Sequence, residues 1–315
     1  MSAARYRAWG ALFALAGVLA FSVRPILVKL IYAIPGASGA PVSAATLLFL
    51  RMAIALPFFA SIAAWQSFGA ARLARRDWAA IVALGFVGYY LASFLDLAGL
   101  KYVGAGVGRL ILFVYPTIVL LLSFAFLHKR PGSREVAALA VTYCGIALVV
   151  GGELTPATQG KGQGTDFLVG AALVFGSAVA YAVYLVASSA VLARIGSMRF
   201  TAWTMTVASI PAFVQFFAIE PAGALDLPAS VWGYAALIAT LSTVLPVFLV
   251  AEALKRIGAN HFALIGAAGP VSTALFSAIG LDEPFTALQA AGGALVVGGV
   301  LLVSLRPRTI ARPQR

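Results

Sequence analysis

Apolar residues run in stretches of about twenty, broken by short clusters of Gly, Pro and charge. This spacing predicts ten helical spans, at 8–34, 42–67, 78–100, 104–127, 135–151, 165–191, 200–219, 230–253, 260–280 and 285–305. Within the runs Ala79 to Leu95, Leu110 to Leu127 and Val136 to Val150, apolar and polar positions do not alternate. A membrane barrel, whose strands alternate over about ten residues, is therefore excluded. The loops are short except for 152–164, whose Gly, Thr and Gln content reads as a flexible connector dividing the spans five and five. The expected organisation is a first five-helix repeat over 1–151, the connector at 152–164, a second repeat over 165–305 and a basic tail at 306–315.

Composition sharpens this picture. The chain is 62% hydrophobic and 10% charged, against about 25% charged in soluble domains, so the expected fold class is an all-α polytopic membrane protein. A net charge of +12 comes from basic residues scattered through short loops rather than gathered on one face, and no nucleic-acid partner is expected. Sorted by alternate sides, sixteen Lys and Arg fall on one side and only Lys101 and Lys161 on the other. The positive-inside rule then makes both termini cytoplasmic, with Glu220, Asp226, Asp282 and Glu283 on the outer side. All five tryptophans, Trp9, Trp65, Trp78, Trp203 and Trp232, fall near expected helix ends, as an interfacial belt requires. The single cysteine, Cys144, lies inside an apolar run, so neither an internal disulfide nor a cysteine metal site is expected. Arg5 and Arg7 before an apolar stretch imitate a signal peptide, but the stretch runs on to Ile34 with no small-residue cleavage site and reads as a retained first helix.

An internal repeat appears at a shift of 154 residues: Trp78 maps to Trp232, Leu100-Lys101 to Leu254-Lys255, Gly104-Ala105 to Gly258-Ala259, Pro57 to Pro211, Pro116 to Pro270 and Gly145 to Gly299. Because each half holds an odd number of spans, the second copy enters the membrane inverted. Inverted repeats are the architecture of secondary transporters that alternate access around a midplane site.

Ala253-Leu-Lys-Arg-Ile-Gly-Ala259, the helix proline Pro270, Leu281-Asp-Glu-Pro284 and Gln289 before a Gly-rich last helix resemble the second repeat of EamA-type members of the drug/metabolite transporter superfamily. Leu100-Lys-Tyr-Val-Gly-Ala105 with Pro116 is similar to the first. The resemblance spans nearly the whole chain. It implies ten helices in a basket, a cavity lined mainly by spans 1, 3, 4, 6, 8 and 9, and export or exchange of small metabolites. One departure stands out: where that family shows Leu-Gly-Glu after the fourth span, this chain has Leu127-His128-Lys129, so no role is carried onto the cytoplasmic counterpart of Glu283.

Ionisable groups inside a span need a partner, a snorkelling route or a wet cavity. Lys29 is near enough to a span end to snorkel, which leaves Arg24, Arg51, Asp96, Arg109 and Glu252. Arg24 precedes Pro25, which frees a helix carbonyl and can border a cavity, and Arg51 lies at similar depth. Asp96 and Arg109 are equally spaced about the turn between spans 3 and 4, and Glu252 and His261 about the matching turn 154 residues later. Each half is thus expected to hold one acid–base pair near its own mouth, acting either as structural glue or as gating or proton-linked groups. In span 6, Ser177, Tyr181, Tyr184 and Ser188 share one helix face. Aligning Ala20-Phe21 with Ala180-Tyr181 sets that face against Phe21 and Arg24 of span 1 across the pseudo-twofold axis. Phe21, Arg24, Arg51, Ser177, Tyr181 and Tyr184 are the candidate substrate residues, and helix–helix hydrogen bonding is the competing role for the hydroxyls. Tyr89, Ser93 and Asp96 share a face of span 3 in the same way.

Gly36-Ala-Ser-Gly39 has the form of an intramembrane serine protease motif, but it falls on the outer side while His128 and His261 belong to the inner one. Gly104-x-x-x-Gly108 permits close helix approach and is common. With no P-loop, metal cluster or paired catalytic carboxylates, the expectation is a protein that is not an enzyme, holds no cofactor or metal, and runs on gradients or exchange. The function expected is secondary active transport in the bacterial inner membrane, as an exporter of a small polar or amphipathic metabolite such as an amino acid. An organic-anion or phosphate-ester exchanger is the alternative, followed by a non-transporting scaffold or an intramembrane enzyme. The partners are a small-molecule substrate and the lipid bilayer, with a homodimer left open.

Overall fold

The computed structural model describes residues 3–36, 39, 41–127, 132–153, 163–266, 268–283 and 285–304. His128, Lys129, most of the connector and the basic tail lie outside them, as does the side chain of His261. All regular structure among the described residues is helical, as lipid demands of a chain that must satisfy its own backbone.

The first half contains α1 (Ala3–Tyr32), α2 (Ala44–Ser67), α3 (Arg75–Gly85), α4 (Ala92–Gly99), α5 (Ala105–Leu112), α6 (Tyr115–Leu127) and α7 (Ser133–Glu153). The second contains α8 (Gln163–Ile195), α9 (Ser197–Ile219), α10 (Ala229–Ala239), α11 (Leu245–Gly266), α12 (Ala268–Gly280) and α13 (Ala287–Ser304). Two π-helical segments join α3 to α4 (Phe86–Leu91) and α10 to α11 (Thr240–Val244), and they begin 154 residues apart. The break between α5 and α6, at 113–114, comes just before Pro116, whose missing N–H falls in a first helical turn that would leave it unpaired anyway. The duplication read from Pro, Gly and Trp positions is therefore also a duplication of backbone irregularities.

Seven helical stretches are long and apolar enough to cross a membrane, and Val136–Gly152, Ala268–Gly280 and Ala287–Leu302 are shorter apolar helices. One expected boundary is absent: the chain is helical through 254–259, inside α11, whereas the matching stretch 100–103 is a turn. The reason is local. Arg256 binds Glu252 one helical turn back at 3.1 Å, and Arg256 favours helix more than Tyr102, its counterpart after Lys101.

Helices pair across the halves: α1 packs on α11 and α12, α8 on α4 and α6, α2 on α9, and α7 on α13. The α7–α13 contact is backbone to backbone, since a Cβ on Gly145 would sit 2.6 Å from the Gly292 carbonyl oxygen. Burial is inverted relative to a soluble protein. Ile210, Val214 and Phe217 project a bare apolar stripe at i, i+4 and i+7 from α9, while Arg51, Ser93, Asp96 and Thr117 are buried. Only an apolar solvent outside and a polar interior account for that distribution.

Candidate functional site

The charged centre is built on α1, α2, α4 and α5. Arg24 Nη2 donates to Asp96 Oδ2 at 2.9 Å, joining α1 to α4. Arg51, 3% exposed, donates from Nη2 to Ser93 Oγ at 2.9 Å. Arg109 lies within electrostatic range of Asp96, Arg24, Tyr115 and Tyr181, yet among the described residues it makes no hydrogen bond. The Nε atoms of all three arginines are buried and unpaired. Tyr32, on the next turn of α1 beyond the centre, donates its hydroxyl to the Leu97 carbonyl at 2.8 Å.

Beside the charges stands an aromatic wall. Tyr115 meets Tyr181 edge to face at 5.1 Å, Tyr181 stacks on Tyr184 at 5.9 Å, and Tyr184 stacks on Phe200 at 6.1 Å. The Tyr89 and Tyr184 hydroxyls are 3.2 Å apart. The π segment makes this approach feasible. Gly88 lies within it, and a Cβ there would fall 2.4 Å from Tyr184 Cγ, so no other residue admits the ring. π-helical turns recur at functional positions because they widen the helix and re-aim side chains.

Several sequence expectations change at this level. Asp96 binds Arg24 rather than Arg109, because equal distance from a turn sets depth in the membrane but not direction, and Asp96 faces α1. Glu252 binds Arg256 on its own helix at 3.1 Å, and the side chain of His261, its expected partner, lies outside the described residues. Ser177 donates to the Ala92 carbonyl at 2.6 Å and Ser188 to the Leu185 carbonyl at 3.2 Å, so both hydroxyls serve the helix framework. Phe21 is half-buried one turn from Arg24, and Tyr181 and Tyr184 stand in the aromatic wall.

Tyr115 and Phe200 escape sequence reading altogether. In an unbroken helix Tyr115 would lie about 120° around the axis from Arg109, and only the break at 113–114 brings the two into range. Phe200 lies near the start of α9, where no helical stripe marks it.

Contacts also tie the two ends of the bundle. At one end both carboxylate oxygens of Glu283 accept from the Ala105 backbone N–H, at 2.9 and 3.1 Å, so the second repeat caps α5 of the first. Asp282, with φ of 52°, turns the chain after α12 to aim that carboxylate. Ser43 donates to Glu220 on the same side. At the other end Arg194 binds Asp77 at 2.7 Å. Nearby, Arg199 donates to Ser67 and the Ala71 carbonyl beside the Trp78–Trp203 pair, around a surface pocket of about 310 Å³.

A helical bundle with an apolar exterior, duplicated halves and buried charges facing aromatic rings defines a multi-pass membrane protein of the transporter type. The chain belongs to the EamA-like transporter family, whose model matches twice, over residues 8–151 and 168–305. It is 31% identical to the uncharacterized transporter YcbK of Bacillus subtilis (strain 168), over 95% of this chain and 92% of that protein. It is also 25% identical to a probable terminal-alkyne amino-acid exporter of Streptantibioticus cattleyicolor, over 76% of this chain and 77% of that protein. A solved crystal structure at 18% identity superposes with a TM-score of 0.64, covering 96% of this chain and 100% of that one, a likeness of fold alone.

Proposed function

We propose that the protein is a secondary active exporter of a small carboxylate-bearing metabolite, such as an amino acid, across the bacterial inner membrane. The observation that carries this reading is the buried Arg24–Asp96 pair set beside the Tyr181–Tyr184 wall. A guanidinium offers the fork of donors that carboxylates take, and ring faces accept an apolar body. A substrate carboxylate competes with Asp96 for Arg24, and a proton competes with Arg24 for Asp96, so loading or protonation frees α1 from α4. The relative named as a probable amino-acid exporter supports the same substrate chemistry.

In this reading ten spans form two inverted five-helix repeats, bounded at 151 and 165, that rock about the site to give alternating access. Both termini and the tail at 306–315 are cytoplasmic, and the connector is periplasmic. The end contacts through Glu283 and through Asp77–Arg194 are the closures that alternate. Purified protein in liposomes preloaded with unlabelled amino acids is expected to accumulate labelled substrate by counterflow, and Asp96→Asn is expected to abolish net flux. Absence of counterflow for every carboxylate tested, from protein that is folded, refutes the transport reading.

A further inference from the structure

We infer that Arg109 is the anion anchor of the site and that the substrate carries net negative charge, its carboxylate on Arg109 and its apolar body against Tyr115 and Tyr181. This rests on the transport reading above: it keeps the carboxylate-bearing substrate, moves the anchor from Arg24 to Arg109, and replaces the amino acid named there with an acid that carries no ammonium. Three guanidiniums, Arg24, Arg51 and Arg109, share electrostatic range with one carboxylate, Asp96, a surplus of two positive charges within the membrane. Arg24 is engaged by Asp96 and Arg51 by Ser93, but Arg109 has no hydrogen-bond partner among the described residues. A cation inside the membrane with no hydrogen-bond partner and a second cation, Arg24, in range is destabilising, and a bound anion removes that penalty.

The surroundings of Arg109 fit such a ligand. Its Nη2 lies 3.9 Å from where a Cβ on Gly269 would sit, so the bare backbone of α12 leaves room beside the guanidinium. Tyr115 and Tyr181, both in range of Arg109, present an edge-to-face ring pair on the other side. Arg109 keeps some accessible surface although its Nε is buried. A zwitterion suits this field less well. Its ammonium cancels the charge its carboxylate brings, so the surplus of two remains, and Asp96 is already held by Arg24. The substrate class is therefore a small organic acid with an apolar or aromatic body and no compensating ammonium.

Three probes of matched shape test the charge: hydrocinnamate (carboxylate only), phenylalanine (both groups) and phenethylamine (ammonium only), added to the purified full-length protein while thermal unfolding is followed. Hydrocinnamate is expected to stabilise at a concentration at least about tenfold lower than phenylalanine, and phenethylamine not at all. Arg109→Gln is expected to melt at or above the parent temperature without ligand, since it removes an uncompensated cation. It should weaken hydrocinnamate binding about 10- to 100-fold, the loss of one charged hydrogen-bond anchor. Arg109→Lys, which keeps the charge but not the fork, should fall between. Phenylalanine binding as tightly as hydrocinnamate overturns the charge assignment, as does failure of both carboxylates to bind. Parental affinity in Arg109→Gln overturns the anchor. Binding that follows the expected order without counterflow refutes transport and leaves the anchor standing, so the two readings fail separately.

Discussion

Asp96→Asn tests the polar centre most sharply. The Arg24–Asp96 bond is 2.9 Å long, and its side chains are only 14% and 10% exposed. At an effective dielectric of about 20, opposite charges about 4 Å apart attract by about 4 kcal/mol. Removing one partner of such a buried pair costs about 3–5 kcal/mol, most of it the penalty of leaving the other charge uncompensated. Here the cost falls at the upper end, because Asp96→Asn leaves Arg24 in range of both Arg51 and Arg109 with no carboxylate in the group. Arg24→Gln is expected to cost about 1–2 kcal/mol, the scale of one charged hydrogen bond, since Asp96 keeps two other guanidiniums in range. The double variant should recover much of the single loss, giving a coupling of about 2–3 kcal/mol in a double-mutant cycle. Reversible denaturant or thermal unfolding in lipid nanodiscs measures all three. Additive effects of the two changes, or a larger coupling of Asp96 to Arg109 than to Arg24, refute the assignment.

Further tests reach other parts of the frame. Gly88→Ala sets a methyl 2.4 Å from the Tyr184 ring and should cost about 1–3 kcal/mol by overpacking; parental melting would show that the ring does not rest there. Glu283→Gln weakens the cap on α5 by about 1 kcal/mol and should speed thiol labelling of Ser277→Cys, buried at that end; an unchanged labelling rate would deny that this contact closes the bundle. In a Cys144→Ala background, cysteines in the connector at 154–162 should react with an impermeant reagent added to intact cells while Arg75→Cys does not, and the opposite pattern reverses the topology.

The fold was largely legible because its signals are local or periodic. Span length follows from bilayer thickness, and the 154-residue offset reappears in the two π segments. The boundary expected at 254–259 depended on a balance of helix propensity that an apolar-run reading does not weigh. The buried polar centre was legible in its charged members and illegible in its pairings. Arg24, Arg51, Asp96 and Arg109 announce themselves as charges among apolar neighbours. Which of them bond depends on helix rotation, and a π segment or a two-residue break shifts that rotation without leaving a periodic trace. The same break hid Tyr115, and the pairing of Ser177 with the Ala92 carbonyl hid behind a hydroxyl stripe that looked like a cavity wall.

The duplicated frame also explains why the site has two chemically different sides. The π segments hold the 154-residue offset, yet the side chains of the centre do not. At that offset Arg51 corresponds to Met205, Asp96 to Val250 and Arg109 to Ala263, while Arg24, aligned through Ala20 and Ala180, corresponds to Tyr184. Every charge in the centre thus comes from the first repeat, and its counterparts in the second are apolar or aromatic. The backbone had to stay symmetric if both access states are to be built from exchangeable halves. Under the proposed alternating access, side chains are free to diverge, because a midplane position would border the substrate whichever half has moved. A symmetric site would set a charge against a charge and suit a ligand with two like ends. The divergence seen here sets arginines against rings, which matches a ligand charged at one end and apolar at the other.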